Sequence, residues 1–161
     1  MYFSLIDKIV SLTPGERIVA TKSLAMGEEY LRDHFPKFPV MPGVLMIEAM
    51  TQSCAWLIRV TEDFAHSMVV LKEVKNAKFG QFLRPGQTLT VTAKLISEDD
   101  STAVFKAEGQ IDGQSRVRAQ LTLSKYNLAD ARPNRAITDQ KLVAKLREEL
   151  TILRDGETSE S

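Results

Sequence analysis

"PGVLMIEAMTQSCAWLIRV", residues 42–60, decides how this chain folds. Pro42 suits the first position of a helix, because the N–H it lacks has no helical carbonyl to reach. From there Val44, Leu45, Ile47, Ala49, Met50, Cys54, Ala55, Trp56, Leu57 and Ile58 fall on every side of a helical wheel. A helix that is apolar all round is one enclosed by protein. A membrane span is the competing reading of Val40–Ile58. Glu48 stands near its middle, Thr51-Gln52-Ser53 follow, and prolines precede it, so we read a buried core helix.

The flanks say what encloses it. Residues 4–12 and 17–24 alternate loosely around "TPGE" (13–16) and predict a two-stranded hairpin. "GEEYLRD" (27–33) predicts one helical turn, and residues 34–41 a loop. Beyond the helix come four strand-like runs, roughly 67–80, 87–98, 102–111 and 114–126, separated by "LRPG", "EDDS" and "DG". Asp-Gly between alternating runs is a strong short-hairpin signal. Val91, Ala93 and Leu95 alternate with Thr90, Thr92 and Lys94, which gives a sheet with one dry and one wet face. The economical packing is α+β, an antiparallel sheet wrapped around one long helix, the arrangement called a hotdog fold. Residues 1–126 would form that domain and 127–161 a linker and tail. Within the tail, 138–155 predicts an amphipathic helix capped by Thr138, with Leu142, Leu146, Leu150 and Leu153 on one stripe. That stripe must pack on something, and association is its expected use.

Composition narrows the function. In 161 residues Lys+Arg and Asp+Glu balance at 21 each, so no basic excess points to nucleic acid. Cys54 is the only cysteine, which excludes an intrachain disulfide and suits a reducing, cytoplasmic setting. "MYFSLIDKIVSL" carries Asp7 and Lys8 where a signal peptide needs an unbroken apolar run. No metal-ligand cluster, phosphate loop or dinucleotide glycine motif is evident, so the expected chemistry needs neither metal nor cofactor.

Three residues could carry that chemistry. Glu48 is a carboxylate in an apolar helix, a setting in which a carboxylate either takes a raised pKa, as a general acid near neutral pH needs, or finds a partner; Thr51 and Gln52 stand at helical spacing as partners. His34, the natural base near pH 7, opens a loop stiffened by Pro36 and Pro39. Gly43 stands at the helix N-terminus, where free N–H groups and the positive dipole end meet developing negative charge on a carbonyl oxygen. Base, acid and oxyanion donor together suit removal of a proton alpha to a carbonyl and loss of a beta group. Each residue also has a bland reading: a capping histidine, a satisfied core glutamate, an ordinary helix start. Phe79 and Phe82, around the "LRPG" turn, suit either an acyl tunnel or the core. Lys37, Lys75, Lys78, Arg84, Arg132 and Arg135 offer contacts to an acidic partner or a solvated face, and His66 has no evident role.

His34-Phe35-Pro36, Pro39, Pro42-Gly43-Val44-Leu45, Glu48-Ala49 and Gln52 together resemble the signature of the beta-hydroxyacyl-acyl carrier protein dehydratases of the FabZ/FabA type. "AKFGQFLRPGQTL" (77–89) resembles that family's strand-turn-strand after the central helix, and the similarity spans roughly residues 4–125. The resemblance implies that His34 takes the C2 proton, Glu48 protonates the leaving hydroxyl, the Gly43 N–H holds the thioester oxygen and Gln52 positions. It implies a (3R)-3-hydroxyacyl chain on acyl carrier protein as substrate, no cofactor, and a homodimer with His34 of one subunit facing Glu48 of its mate. Glutamate at position 48 is similar to the FabZ branch; the FabA branch has aspartate. The chain departs from the pattern at Asp33, where the family has glycine, at Thr51, where alanine is common, and before "FSLIDKIV". The alternatives are a thioesterase on the same fold, with Glu48 activating water, and a non-catalytic subunit that binds acyl carriers.

Overall fold

The computed structural model describes residues 4–33 and 39–154. Six strands form one antiparallel sheet: β1 (Lys8–Thr13), β2 (Arg17–Ser23), β3 (Met68–Phe79), β4 (Thr88–Glu98), β5 (Thr102–Ile111) and β6 (Gln114–Tyr126). Their order across the sheet is β1-β2-β4-β5-β6-β3. A short helix, α1 (Tyr30–Asp33), precedes the long helix α2 (Gly43–Thr61), and α3 (Ala136–Leu153) closes the described chain. The sheet wraps α2 through β2, β3, β4, β5 and β6, which is the hotdog arrangement. No described helix is long and apolar enough to cross a membrane.

The alternation explains the wrap. Ile18 and Ala20 of β2, Leu89, Val91 and Ala93 of β4, Ala103, Phe105 and Ala107 of β5, and Leu121 and Leu123 of β6 are all buried. They meet Met46, Met50, Cys54, Trp56 and Leu57 of α2 in one core. The β5–β6 hairpin turns at Asp112-Gly113 with φ of 53° and 77°. Two positive φ values in a row are what a two-residue turn matching strand twist requires.

Three boundaries differ from expectation, each for a local reason. Pro42 is the residue before α2, with φ −55° and ψ 142°, and its carbonyl accepts the N–H of Met46. Leu5 and Ile6 are buried but precede β1, because the Leu5 N–H donates to the Gln52 side chain of α2 instead of to a strand. α3 begins at Ala136, before Thr138, because Pro133–Arg135 already forms a 3₁₀ turn leading into it.

α3 packs on its own domain. Leu146 and Leu153 join the core, and Val143 and Leu150 pack against it. Its first turn is anchored by Asp139. That carboxylate accepts the Ser67 hydroxyl at 2.5 Å and the N–H groups of Leu128 and Ala129 at 2.8 and 2.9 Å. Farther along, Arg147 bonds Asp63 at 3.1 Å and lies over the Phe64 ring. Three leucines of the stripe, Leu146, Leu150 and Leu153, therefore have their apolar partners within the chain.

Candidate functional site

α2 is not enclosed on every side. Val44, in its first turn, is 74% exposed, and Glu48, one turn later on the same stripe, is half-buried. The fully sheltered carboxylate expected at Glu48 is thus corrected: the sheet covers the opposite faces of α2 and leaves this stripe to a cleft. Of the two expected partners, Gln52 is one. Its Nε2 donates to Glu48 Oε1 at 3.2 Å, while its own Oε1 accepts the Leu5 N–H at 2.8 Å. Thr51 is not; its hydroxyl donates back to the Ile47 carbonyl at 3.0 Å.

The cleft holds about 490 Å³ and lies between α2, the first half of β3 and α3. Glu48, Gln52, Ala55 and Arg59 line one wall, Val69 and Leu71 another, and Leu142 and Leu146 a third. A volume of roughly 300–1,000 Å³ with mostly apolar walls and few polar groups is usual for a small-molecule site.

Gly43 begins α2, about 7.5 Å along the axis from Glu48 at 1.5 Å per residue. Its N–H is among the first four of the helix, which have no intrahelical partner. A Cβ here would stand 3.1 Å from both the Phe79 and Phe82 rings. Those rings stack with centroids 5.7 Å apart and remain 42% and 40% exposed. The two phenylalanines, 36 and 39 positions from Gly43 in sequence, thus share one corner of the fold with it. None of the three lines the cleft itself.

His34 lies outside the described residues, with Phe35, Pro36 and Lys37, and so does the side chain of Asp33. The other histidine is remote from this chemistry: His66 Nδ1 pairs with Glu62 at 3.0 Å, and Glu62 also pairs with Lys125. Burial pushes the Cys54 thiol up, which keeps it protonated and unreactive. Among the described residues no group of three His, Cys, Asp or Glu side chains could hold a metal ion.

Sequence reasoning missed two sets of residues. One is the α3 wall of the cleft. The other is a row of cations on the outer face of the sheet, where Arg17 pairs with Lys94 and Lys94 with Lys106 across adjacent strands. Like charges directly opposite each other destabilise a sheet. Arg118 lines the same groove, as does Lys78, which the sequence already offers as a contact to an acidic partner. Only strand register brings these residues together, and no motif signals it.

Residues 1–120 match a family model described as a FabA-like domain. The chain is 37% identical over 116 residues to the 3-hydroxyacyl-acyl-carrier-protein dehydratase FabZ of Lactobacillus helveticus, covering 72% of this chain and 78% of that protein. The FabZ of Shewanella loihica is 34% identical over 130 residues, covering 79% and 85%. Among solved structures, the dehydratase heterocomplex ApeI:P from Xenorhabdus doucetiae is similar with a TM-score of 0.66 and 16% identity, over 78% of this chain and 84% of that one. At that identity the likeness speaks to the fold alone.

Proposed function

The chain belongs to the FabA-like domain family, and from that premise we propose that it dehydrates (3R)-3-hydroxyacyl chains carried on acyl carrier protein to trans-2-enoyl chains. His34 removes a proton from C2 and the electron pair forms the C2–C3 double bond. The C3–O bond breaks, Glu48 gives its proton to the departing hydroxyl, and water leaves. The Gly43 N–H steadies the thioester oxygen while negative charge builds on it. The reaction adds and removes no electrons and needs no cofactor.

The observation that carries this reading is the placement of Glu48. Its carboxylate lines a cleft with both apolar and polar walls and is oriented by Gln52, which is itself held by the Leu5 backbone. A general acid must be held within reach of its target by groups that do not move. Gly43 lies on the same helix, toward the end where the dipole is positive.

The working unit in this reading is a homodimer. β3 is an edge strand, and Lys72–Phe79 are exposed on both faces. An open edge invites a second strand. Val44, Phe79 and Phe82 leave apolar surface uncovered near the start of α2, where a mate would cover it. His34 of one subunit then serves Glu48 of the other. A cytoplasmic location suits the single buried thiol.

The test is incubation with 3-hydroxyacyl thioesters of acyl carrier protein, followed by enoyl thioester absorbance and by mass. Loss of one water with the thioester intact supports dehydration. Release of free carrier and acid would make the protein a thioesterase instead.

A further inference from the structure

α3 lies beyond residues 1–120, the part matched by the FabA-like domain, yet it forms one wall of the cleft that Glu48 faces. We propose that α3 is the chain-length gauge of this enzyme: the acyl chain runs from Glu48 along α2 toward Arg59, and Leu142 sets where it stops. The inference rests on the dehydratase reading for the identity of the occupant.

The walls are arranged for such an occupant. Glu48, Gln52, Ala55 and Arg59 follow one another at intervals of three or four residues, so they line a single face of α2. From Glu48 to Arg59 that face is about 16 Å long. β3 supplies Val69 and Leu71 alongside it, and α3 supplies Leu142 and Leu146. The space has a carboxylate at one end and these aliphatic side chains along its walls, with the charged groups of Arg59, Lys145 and Glu149 also at its lining; the apolar part of that surface suits a saturated chain attached to the reacting carbons.

The position of Leu142 follows from the anchor of α3. Asp139 is tied to Ser67, just before β3 begins, and Leu142 comes about one turn after Asp139. Only the short segment 62–67 separates the end of α2 from β3, and Ser67 lines the cleft together with Arg59, eleven residues along the helix from Glu48. Leu142 therefore lies toward the Arg59 and Ser67 end of the cleft, the end we assign as its floor. It is only partly buried and lies outside the core cluster, so its side chain faces space that other atoms can fill.

A chain that lengthens within an apolar cleft gains roughly fourfold in affinity per buried methylene until it meets the floor. Raising the floor with Leu142→Trp and lowering it with Leu142→Ala must move the limit in opposite directions. A role limited to supporting the fold would move both variants the same way.

The experiment compares butyryl and dodecanoyl thioesters of pantetheine as calorimetric binding probes, and the matching 3-hydroxyacyl thioesters as substrates. Circular dichroism and sedimentation are recorded on each full-length variant. In Leu142→Trp the preference for the long over the short chain falls about 15-fold or more, the loss of two buried methylenes; in Leu142→Ala it rises. Unchanged preference in both folded variants overturns the proposal. So does an altered sedimentation coefficient without a change in preference, which would seat a second copy in the cleft. Binding is read without turnover, so an inactive protein that still shows the opposed shifts refutes the dehydratase reading and leaves the gauge standing.

Discussion

Gln52 joins two distant parts of the chain: its Nε2 donates to Glu48 Oε1 at 3.2 Å and its Oε1 receives the Leu5 N–H at 2.8 Å. A glutamine is required here, because one end must donate and the other accept. Gln52→Leu removes both bonds and strands a buried N–H, which costs about 1–3 kcal/mol. The expected result is a lower Tm together with a fall in kcat. Gln52→Glu keeps an acceptor for Leu5 but sets a second carboxylate beside Glu48, so it should spare the fold more than the rate. Parallel melting curves and turnover measurements on the two variants check this.

Replacing Glu48 by Gln keeps the shape and an acceptor for Gln52 while removing the transferable proton. Dehydration should fall by about 10²–10⁴-fold, the usual worth of a general acid or base. Because Glu48 is half-buried, the fold should change little, within about 0.5 kcal/mol. His34→Ala should lose activity on the same scale. Near-full turnover by either variant removes that residue from the mechanism.

Gly43 should tolerate no side chain without cost to function. In Gly43→Ala the new methyl presses on Phe79 and Phe82 at 3.1 Å. The rings are partly exposed and can yield, so the protein should fold, but the start of α2 shifts relative to the cleft. Small displacements of catalytic groups cost up to about 10²-fold. Phe82→Leu should recover part of the loss in the double variant, because it removes one of the two obstructing rings. A double-mutant cycle on kcat/KM measures that coupling.

The seat of α3 should depend on acid. Burial works to raise the Asp139 pKa, but the Ser67 hydroxyl, the Ala129 and Leu128 N–H groups and the Arg135 charge together hold it below the ordinary value. A carboxylate depressed in the folded state contributes stability above its unfolded pKa, near 3.8, and loses it as pH falls through the lower folded value. α3 should therefore stay docked at neutral and mildly acidic pH and loosen only below about pH 4. Asp139→Asn should lower Tm at pH 7, and its deficit against the parent should shrink as the pH drops below that point. Tm measured across the pH range tests the sign.

Much of this was legible in local pattern. The apolar run of 42–60, the alternation of Val91, Ala93 and Leu95, and the Asp112-Gly113 turn are nearest-neighbour signals, and they place α2, β4 and the β5–β6 hairpin. What stayed hidden depends on contacts between remote residues. The wheel of α2 shows apolar residues all round, but which side the sheet leaves open is set by strand order, so the outward stripe of Val44 and Glu48 appears only in three dimensions. Asp139 finds Ser67 across 72 positions, and no periodicity announces such a pair. Phe79 and Phe82 read equally as core or tunnel until Gly43 is placed beneath them.

Subunit exchange tests where the two halves of the site come from. β3 leaves an open edge from Lys72 to Phe79, and joining two such edges would continue the sheet from one subunit into the next. If His34 of one subunit serves Glu48 of its mate, a dimer of His34→Ala with Glu48→Ala has one intact site and one doubly damaged site. Neither parent should turn over. Random exchange makes half the dimers mixed and leaves half their sites whole, so activity should return to roughly a quarter of the parent enzyme when the sites act independently. Exchange is confirmed by native mass spectrometry on differently labelled chains. Mixed dimers without recovered activity would put both residues in the same subunit and end this arrangement.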